Sequence, residues 1–324
     1  MLSIFQYRSA VTEYLHEKIR VKEPANLYEP MVYILEQGGK RLRPVLVLMS
    51  CEVFDCDYKK ALDAALAIEI FHNFSLVHDD IMDDAPLRRG KETVHEKWDI
   101  NTGILSGDAM LINAYQFFES YEGETFKELS TLFTKTAIQV CEGQQYDIDF
   151  ETRDNVSIED YLLMIEYKTA VLVGAALQMG AIVAGTSREC KEAIYQYGRL
   201  LGIAFQLQDD YLDAFGDPET FGKQSGGDII ENKKTFLYLK TLERANRSEA
   251  LQLEHLYSIS PAENSGKIEA VKALFESSGA AELTRNEIRK YTSRAFEILE
   301  KIEISDAKKE PLRKFGEMLM ERQV

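Results

Sequence analysis

Apolar residues recur along this chain at helical spacing, while the alternation expected of strands is weak throughout. Val45–Val53 follows Pro44 and opens an apolar helix. Ala61–Val77 is apolar on nearly every face, which predicts a helix buried in the middle of a bundle. Ile104–Tyr121 is mostly apolar, and Phe126–Glu142 has the pattern of an amphipathic helix. Ile158–Ala184 is long and rich in Ala and Gly, as close helix packing favours. Ile194–Ala214 is a further helix, and the Gly-rich segment after it, Phe215–Asp228, reads as a loop. Beyond it the pattern predicts helices over Ile229–Ala245, Ile268–Glu276, Glu282–Ile302 and Lys308–Arg322, with Ser258–Gly266 as a polar connector. No linker, low-complexity tract or composition shift divides the chain, so the reading is one all-α domain over residues 1–324.

Two of the apolar helices end in the same acidic pattern, D-D-x-x-D: Asp79, Asp80 and Asp83, then Asp209, Asp210 and Asp213. Residues four apart share one face of a helix, so Asp79 stacks with Asp83 and Asp209 with Asp213. Like charges at that spacing cost roughly 0.2–0.5 kcal/mol per exposed pair and more when desolvated. A chain that does this twice is expected to hold cations there. Carboxylates with no His or Cys beside them favour Mg²⁺ over zinc, and Mg²⁺ leaves positions open for phosphate oxygens. Two such clusters suggest a diphosphate held between them.

Composition sharpens that picture. The chain has 45% hydrophobic residues, enough for a large core, and a net charge of −16 at pH 7. Such an acidic balance argues against nucleic acid or an anionic membrane as partner. Against it, two basic groups stand out: Lys40, Arg41 and Arg43 in GGKRLRP, and Arg88, Arg89 and Lys91 in LRRGK. Cations grouped near metal-type aspartates fit an anion site. Cys51, Cys56, Cys141 and Cys190 lack metal-ligand spacing and are expected to be buried thiols in a reducing compartment. The N-terminus lacks the apolar core of a signal peptide, and no uncharged apolar run reaches the ~20 residues that span a bilayer. The expected location is the cytoplasm, without stable membrane insertion.

Taken together, LVHDDIMDDAPLRRG and FQLQDDYLD resemble the first and second aspartate-rich motifs of the trans-isoprenyl diphosphate synthases, the polyprenyl synthetase family. The resemblance runs from GGKRLRP to DIIENKKT in the family order. It implies an isoprenoid-synthase-type helical bundle with a central cavity, and a homodimer. It also implies roles. Asp79, Asp80, Asp83, Asp209, Asp210 and Asp213 would bind several Mg²⁺ ions that bridge to an allylic diphosphate. Arg88 would contact that diphosphate and Arg89 the homoallylic one. Lys40, Arg43 and His72 would complete a site for isopentenyl diphosphate. Lys168 and Thr169 of YKTA, with Gln206, Lys223 and Lys233, would serve the allylic side. Lys223 would act from a lid. His78 and His95 are read as structural. Three positions depart from the family pattern: Glu92 in place of a frequent proline, Gly227 in place of a common threonine, and Asn232 where many members have glycine.

The implied reaction ionises the allylic C–O bond, lets the double bond of isopentenyl diphosphate attack, and returns a proton to the released diphosphate. Asp79, Asp80, Asp83, Lys168, Thr169 and Asp209 are its catalytic candidates, and the Thr169 hydroxyl could also face the developing cation. Phe74 and Ser75 lie about one turn before Asp79. In the family, one aromatic and one small residue here go with short-chain products, geranylgeranyl before farnesyl diphosphate. Phe74 is expected to form the floor of the tail pocket, and Phe71 is a second candidate floor or a core ring. The rival readings are a longer-chain synthase, a terpene cyclase of the same fold, and a non-catalytic subunit of a heteromeric synthase. The intact second cluster and the basic residues favour elongation over the last two.

Overall fold

The computed structural model describes residues 1–217 and 226–321, and they are overwhelmingly helical. They fall into two compact units: Met1–Thr136 with Ala175–Tyr195, and Ala137–Gly174 with Gln196–Val324.

The first unit is organised around α4 (Leu62–Met82), which packs against α3 (Leu42–Val53) and α6 (Ile100–Gln116). From Ala64 to Phe71 every residue of α4 is buried, the apolar ones as their all-round pattern requires and Glu69 with them. α1 (Ile4–Lys18) and α2 (Ala25–Glu36) flank it. Helix starts follow local chemistry: Ser3 and Gln6 form a capping box on α1, and the Asp99 carboxylate accepts from the Thr102 N–H at the start of α6. Between α4 and α6 the chain makes a small hairpin, β1 (Leu87–Arg88) with antiparallel β2 (Lys91–Glu92), and one helical turn, α5 (Val94–Lys97). The pattern of apolar residues gives no sign of this hairpin, because its strands are too short to alternate.

Two long helices follow, α7 (Gly123–Thr152) and α10 (Arg188–Phe215), and between them α8 (Ile158–Ile165) continues through a π-helical turn, Glu166–Ala170, into α9 (Val171–Val183). In the second unit a core forms around Tyr161, Leu207, Phe236 and Phe275. It is completed by α11 (Gly227–Ile230), α12 (Phe236–Arg244), α13 (Arg247–Leu256), α14 (Ser265–Ser277), α15 (Ala280–Lys301) and α16 (Asp306–Met320). Tyr197 Oη donates to the Leu312 carbonyl at 2.7 Å and anchors α16.

Four expectations change. α7 runs ten residues past Glu142, through GQQYDIDFET, where Tyr146 and Phe150 pack into the core of the second unit and tertiary burial outweighs weak local propensity. The helix expected over Ile229–Ala245 is broken between α11 and α12, where Asn232 takes a left-handed conformation with φ 58°. Asn and Gly tolerate that region best, which explains why glycine is frequent there. α13 occupies residues whose sparse apolar pattern hides it, although Asn246 and Glu249 form a capping box. Among the cysteines only Cys51 is buried; Cys141 is exposed, and all four are free thiols. In addition, Ile158–Val183 is long and apolar enough to cross a bilayer by composition, but it carries Glu166 and Lys168 and most of it is buried, as in a core helix.

Candidate active site

In the first unit, the apolar body of α4 delivers Asp79 and Asp80 in its last turn and Asp83 as its C-cap. Asp80 is 1% exposed. Arg88, on β1, returns over this end: its Nε donates to Asp80 Oδ1 at 2.6 Å and its Nη2 to Asp79 Oδ2 at 3.3 Å. Asp80 Oδ2 is buried and has no hydrogen-bond partner. Burial raises the Asp80 pKa, Arg88 opposes the rise, and the Asp79 charge adds to it. A buried carboxylate oxygen left unmatched beside two further carboxylates is a donor set that a divalent cation fits.

A basic pocket sits beside this end of α4. Arg43 Nη1 lies 3.1 Å from His72 Nε2. Arg89 donates to the Gly38 carbonyl. Burial and then the charges of Arg43, Arg89, Arg88 and Arg41 hold the His72 pKa well below its usual value, so the ring is neutral and accepts from Arg43. Gly39 makes this approach possible: with φ +120°, a Cβ there would stand 2.9 Å from the Arg89 guanidinium carbon. Lys40 is exposed. Arg41 has a different task. It pairs with buried Glu69 and donates to the Leu35 carbonyl, and Asn73 Nδ2 bonds Glu69 at 2.9 Å. That buried pair lay hidden in the sequence, where Arg41 reads as one more cation of GGKRLRP.

Below the aspartates an array of rings lines the same helix. Phe74 is 8% exposed and meets His78 at 4.8 Å and Phe71 at 5.5 Å between ring centres. Phe71 packs in turn on Phe133 at 5.1 Å. Ser75 Oγ donates to the His72 carbonyl at 2.8 Å, so it is small and already satisfied.

In the second unit, α7, α8, the π-helical turn, α10, α11 and the segment after it line a cleft that opens to solvent. The π-helical turn carries Lys168 and Thr169; single-turn widenings of this kind are frequent at functional sites. Gly143 of α7 allows the turn to sit close, since a Cβ on it would lie 2.3 Å from the Lys168 backbone nitrogen. Lys168 Nζ donates to Asp147 Oδ2 at 2.6 Å. Thr169 Oγ1 donates to Gln206 Oε1 at 3.0 Å, and Gln206 Nε2 donates to Asp210 Oδ1 at 2.8 Å. The buried Tyr161 hydroxyl donates to the other oxygen, Asp210 Oδ2.

Asp210 is therefore fixed on both sides by neutral donors. Burial pushes its pKa up to about 6, Tyr161 and Gln206 oppose the rise, and Asp209 adds to it. Asp213 accepts from the Asp228 backbone N–H at 3.0 Å. Burial, then Asp210 and Asp213, raise the Asp228 pKa well above normal. Crowded, desolvated carboxylates of this kind are again what a divalent cation would relieve. Lys233 Nζ is 2.9 Å from Glu231 Oε2 and also lines the cleft. Lys223 lies outside the described residues.

The structure thus groups Arg43, His72, Arg88 and Arg89 with the first cluster, and Lys168, Thr169, Gln206 and Lys233 with the second. It adds Glu69, Asp147, Tyr161 and Asp228. Only Asp228 had a sequence signal, as part of DIIENKKT; the others are single polar residues within helices, and their partners are remote in the chain.

Known proteins with the same features are plentiful. The polyprenyl synthetase family profile matches residues 24–275. A geranylfarnesyl diphosphate synthase from Natronomonas pharaonis is 37% identical over 301 residues, covering 87% of this chain and 86% of that one. A crystal structure of a geranylgeranyl pyrophosphate synthase is 53% identical, superposes with a TM-score of 0.96 and covers 100% of both chains. The geranylgeranyl pyrophosphate synthase from Corynebacterium glutamicum, solved with isoprenyl diphosphate and magnesium, is 26% identical with a TM-score of 0.85, covering 99% of this chain and 98% of that one.

Proposed function

The chain belongs to the polyprenyl synthetase family, and we propose that it condenses isopentenyl diphosphate with allylic prenyl diphosphates to make a short-chain product, geranylgeranyl diphosphate. The observation that carries this reading is the pairing of each buried carboxylate cluster with its own set of cations. Asp80 stands with Arg88, beside Arg43 and Arg89. Asp210 stands with Lys168 and Lys233 around one cleft. Carboxylates alone would hold metal, and cations alone would hold phosphate. Together they suit a metal-bound diphosphate.

Asp79, Asp80 and Asp83, with Asp209, Asp210 and Asp213, are the residues that would hold Mg²⁺. When bound, Mg²⁺ supplies charge neutralisation to a departing diphosphate. The remaining work belongs to side chains. Arg88 exchanges its aspartate contacts for the allylic diphosphate, which its planar fork can bind bidentately. Lys168 and Lys233 add point charges on that side and stabilise the leaving group as the allylic C–O bond breaks. Arg43, Arg89, Lys40 and neutral His72 orient isopentenyl diphosphate so that its double bond attacks the allylic carbon. The proton lost in forming the new double bond passes to the released diphosphate. Thr169 and Gln206 present uncharged oxygen dipoles near the cation, which they stabilise without becoming alkylated. Phe74 forms the floor that limits the tail, with Ser75 leaving room beside it.

We place the active enzyme in the cytoplasm as a homodimer. α6 supports the second point, since Ile100, Ile104, Leu105 and Ile112 are all exposed on it, an apolar strip of the kind that marks an interface. The test of the metal assignment is turnover of Asp79→Ala and Asp209→Ala. Each is expected to lose activity by a factor on the order of 10² or more, because removal of a transition-state charge stabiliser costs that much, with an unchanged circular dichroism spectrum. A fully active Asp79→Ala enzyme would overturn it.

A further inference from the structure

Just beyond the first aspartate cluster, three ligand-type side chains converge that the proposed reaction does not use. Asp84 takes a left-handed conformation, φ 48°. The chain then passes through the β1–β2 hairpin, closed at its base by the Thr93 N–H on the Pro86 carbonyl at 3.1 Å and Thr93 Oγ1 on the Ala85 carbonyl at 2.8 Å. It returns in α5 with His95 and Glu96. One donor atom from each of Asp84, His95 and Glu96 lies within 4.8 Å of the other two. The carboxylates are exposed, and His95 Nε2 is 3.8 Å from Glu96 Oε1.

The histidine is the independent sign. Its side chain is only 4% exposed, yet neither ring nitrogen has a hydrogen-bond partner. Native proteins seldom bury an imidazole without satisfying it, and a structural histidine in a helical turn would be expected to bond a carbonyl or a carboxylate. Here one ring nitrogen lies within 4.8 Å of a carboxylate oxygen of Asp84 and one of Glu96, too far for a hydrogen bond and within the span of a shared cation.

We propose that Asp84, His95 and Glu96 form a site for a divalent transition metal ion of the zinc class, distinct from the aspartate-rich clusters, and that the ion clamps the base of the hairpin carrying Arg88 and Arg89. One imidazole with two carboxylates selects Zn²⁺ or Co²⁺ over Mg²⁺, which prefers oxygen alone. Three protein ligands and a water complete a tetrahedral shell with distances of about 2.0–2.2 Å. To reach it the donors must draw together. His95 is fixed by burial and sets the position, while the two carboxylates sit at the surface and can rotate inward. The metal would tie residues on both sides of the hairpin to one point, so it would hold the two arginines in register with α4. His95 is close enough to Asp80 for its charge to lower the Asp80 pKa, so binding here must be separated from binding at the aspartate clusters.

The test uses the full chain, stripped with chelator and returned to excess Mg²⁺, which occupies the oxygen-only sites. Co²⁺ is then titrated and read by its visible absorption, with Zn²⁺ as competitor. The proposal expects one Co²⁺ per chain, displaced by Zn²⁺, with affinity reduced by more than about tenfold in Glu96→Gln and in Asp84→Asn, at least the loss seen for lesser outer-shell changes. It also expects slower amide exchange over residues 85–93 when Zn²⁺ is added. His95→Gln should abolish the absorption; if that buried substitution fails to fold, the two surface variants decide. Failure of the wild type to retain Co²⁺ in excess Mg²⁺, or isotherms of Glu96→Gln and Asp84→Asn that superimpose on it, would overturn the site.

Discussion

Asp210 shows how much one side chain depends on its neighbours. A desolvated carboxylate held by two neutral donors, with the Asp209 charge raising its pKa and the Lys233 charge lowering it, stays poised between charged and protonated forms at a pKa of about 6. Tyr161 and Gln206 fix its orientation and do not neutralise it, which suits a ligand waiting for metal. Removing the Tyr161 hydroxyl leaves Asp210 Oδ2 without its donor. Supporting groups of this kind typically change metal affinity by about 10–100-fold. Tyr161→Phe is therefore expected to raise the Mg²⁺ concentration for half-maximal activity by roughly that factor, while the Mg²⁺ requirement of an unrelated surface variant stays put. An unchanged Mg²⁺ dependence would remove Tyr161 from this role. His72 makes a second prediction at the same scale. Its folded pKa lies below the ordinary value of about 6.5. Below that pH the unfolded chain binds more protons than the folded one, so stability falls as pH drops through about 6.5 and is level above it. Urea midpoints at neutral and mildly acidic pH should separate for the wild type more than for His72→Gln. Equal separation would mean that His72 is not held neutral.

At the level of elements, the informative places are those where a helix departs from regularity. The π-helical turn at Glu166–Ala170 widens one helix where Lys168 and Thr169 must face a cleft, and Gly143 leaves the space it occupies. Gly143→Ala places a methyl against backbone and not against a movable side chain. Overpacking of this type costs about 1–3 kcal/mol, so the melting temperature should fall and the KM for the allylic substrate should rise. A variant with wild-type melting and KM would show that the close approach is dispensable. Neither the turn nor the approach was legible from apolar periodicity, which runs through YKTA without interruption. Asn232 is the opposite case: the difference from the usual glycine was visible in the chain, and the left-handed conformation explains it. α4 was the most legible element, because an all-round apolar helix has nowhere to go but the core.

For the whole molecule, helical class and the two acidic clusters were readable because each is a local pattern repeated along the chain. The contacts that give the clusters their chemistry were not. Arg41 with Glu69, Lys168 with Asp147 and Tyr161 with Asp210 join residues far apart in sequence, and nothing local marks which carboxylate takes which partner. The strong excess of negative charge, −16 at pH 7, makes those pairings consequential. Against that excess, Arg43 and Arg89 beside neutral His72 place a local positive charge suited to an anionic substrate. Chain-length control belongs at this scale too, because it depends on how far a growing tail descends beside Phe74 toward the rings of Phe71 and Phe133.

The central claim is metal-dependent elongation to a length set by Phe74, and the direct test is chromatography of the products formed from isopentenyl diphosphate with dimethylallyl, geranyl or farnesyl diphosphate. Purified wild-type enzyme is predicted to release diphosphate only with a divalent metal and to accumulate geranylgeranyl diphosphate from each starter. Phe74→Ala should shift the product longer and Ser75→Phe shorter. Cyclised hydrocarbons in place of prenyl diphosphates, no elongation from any starter, or one unchanged product in all three enzymes would contradict the account.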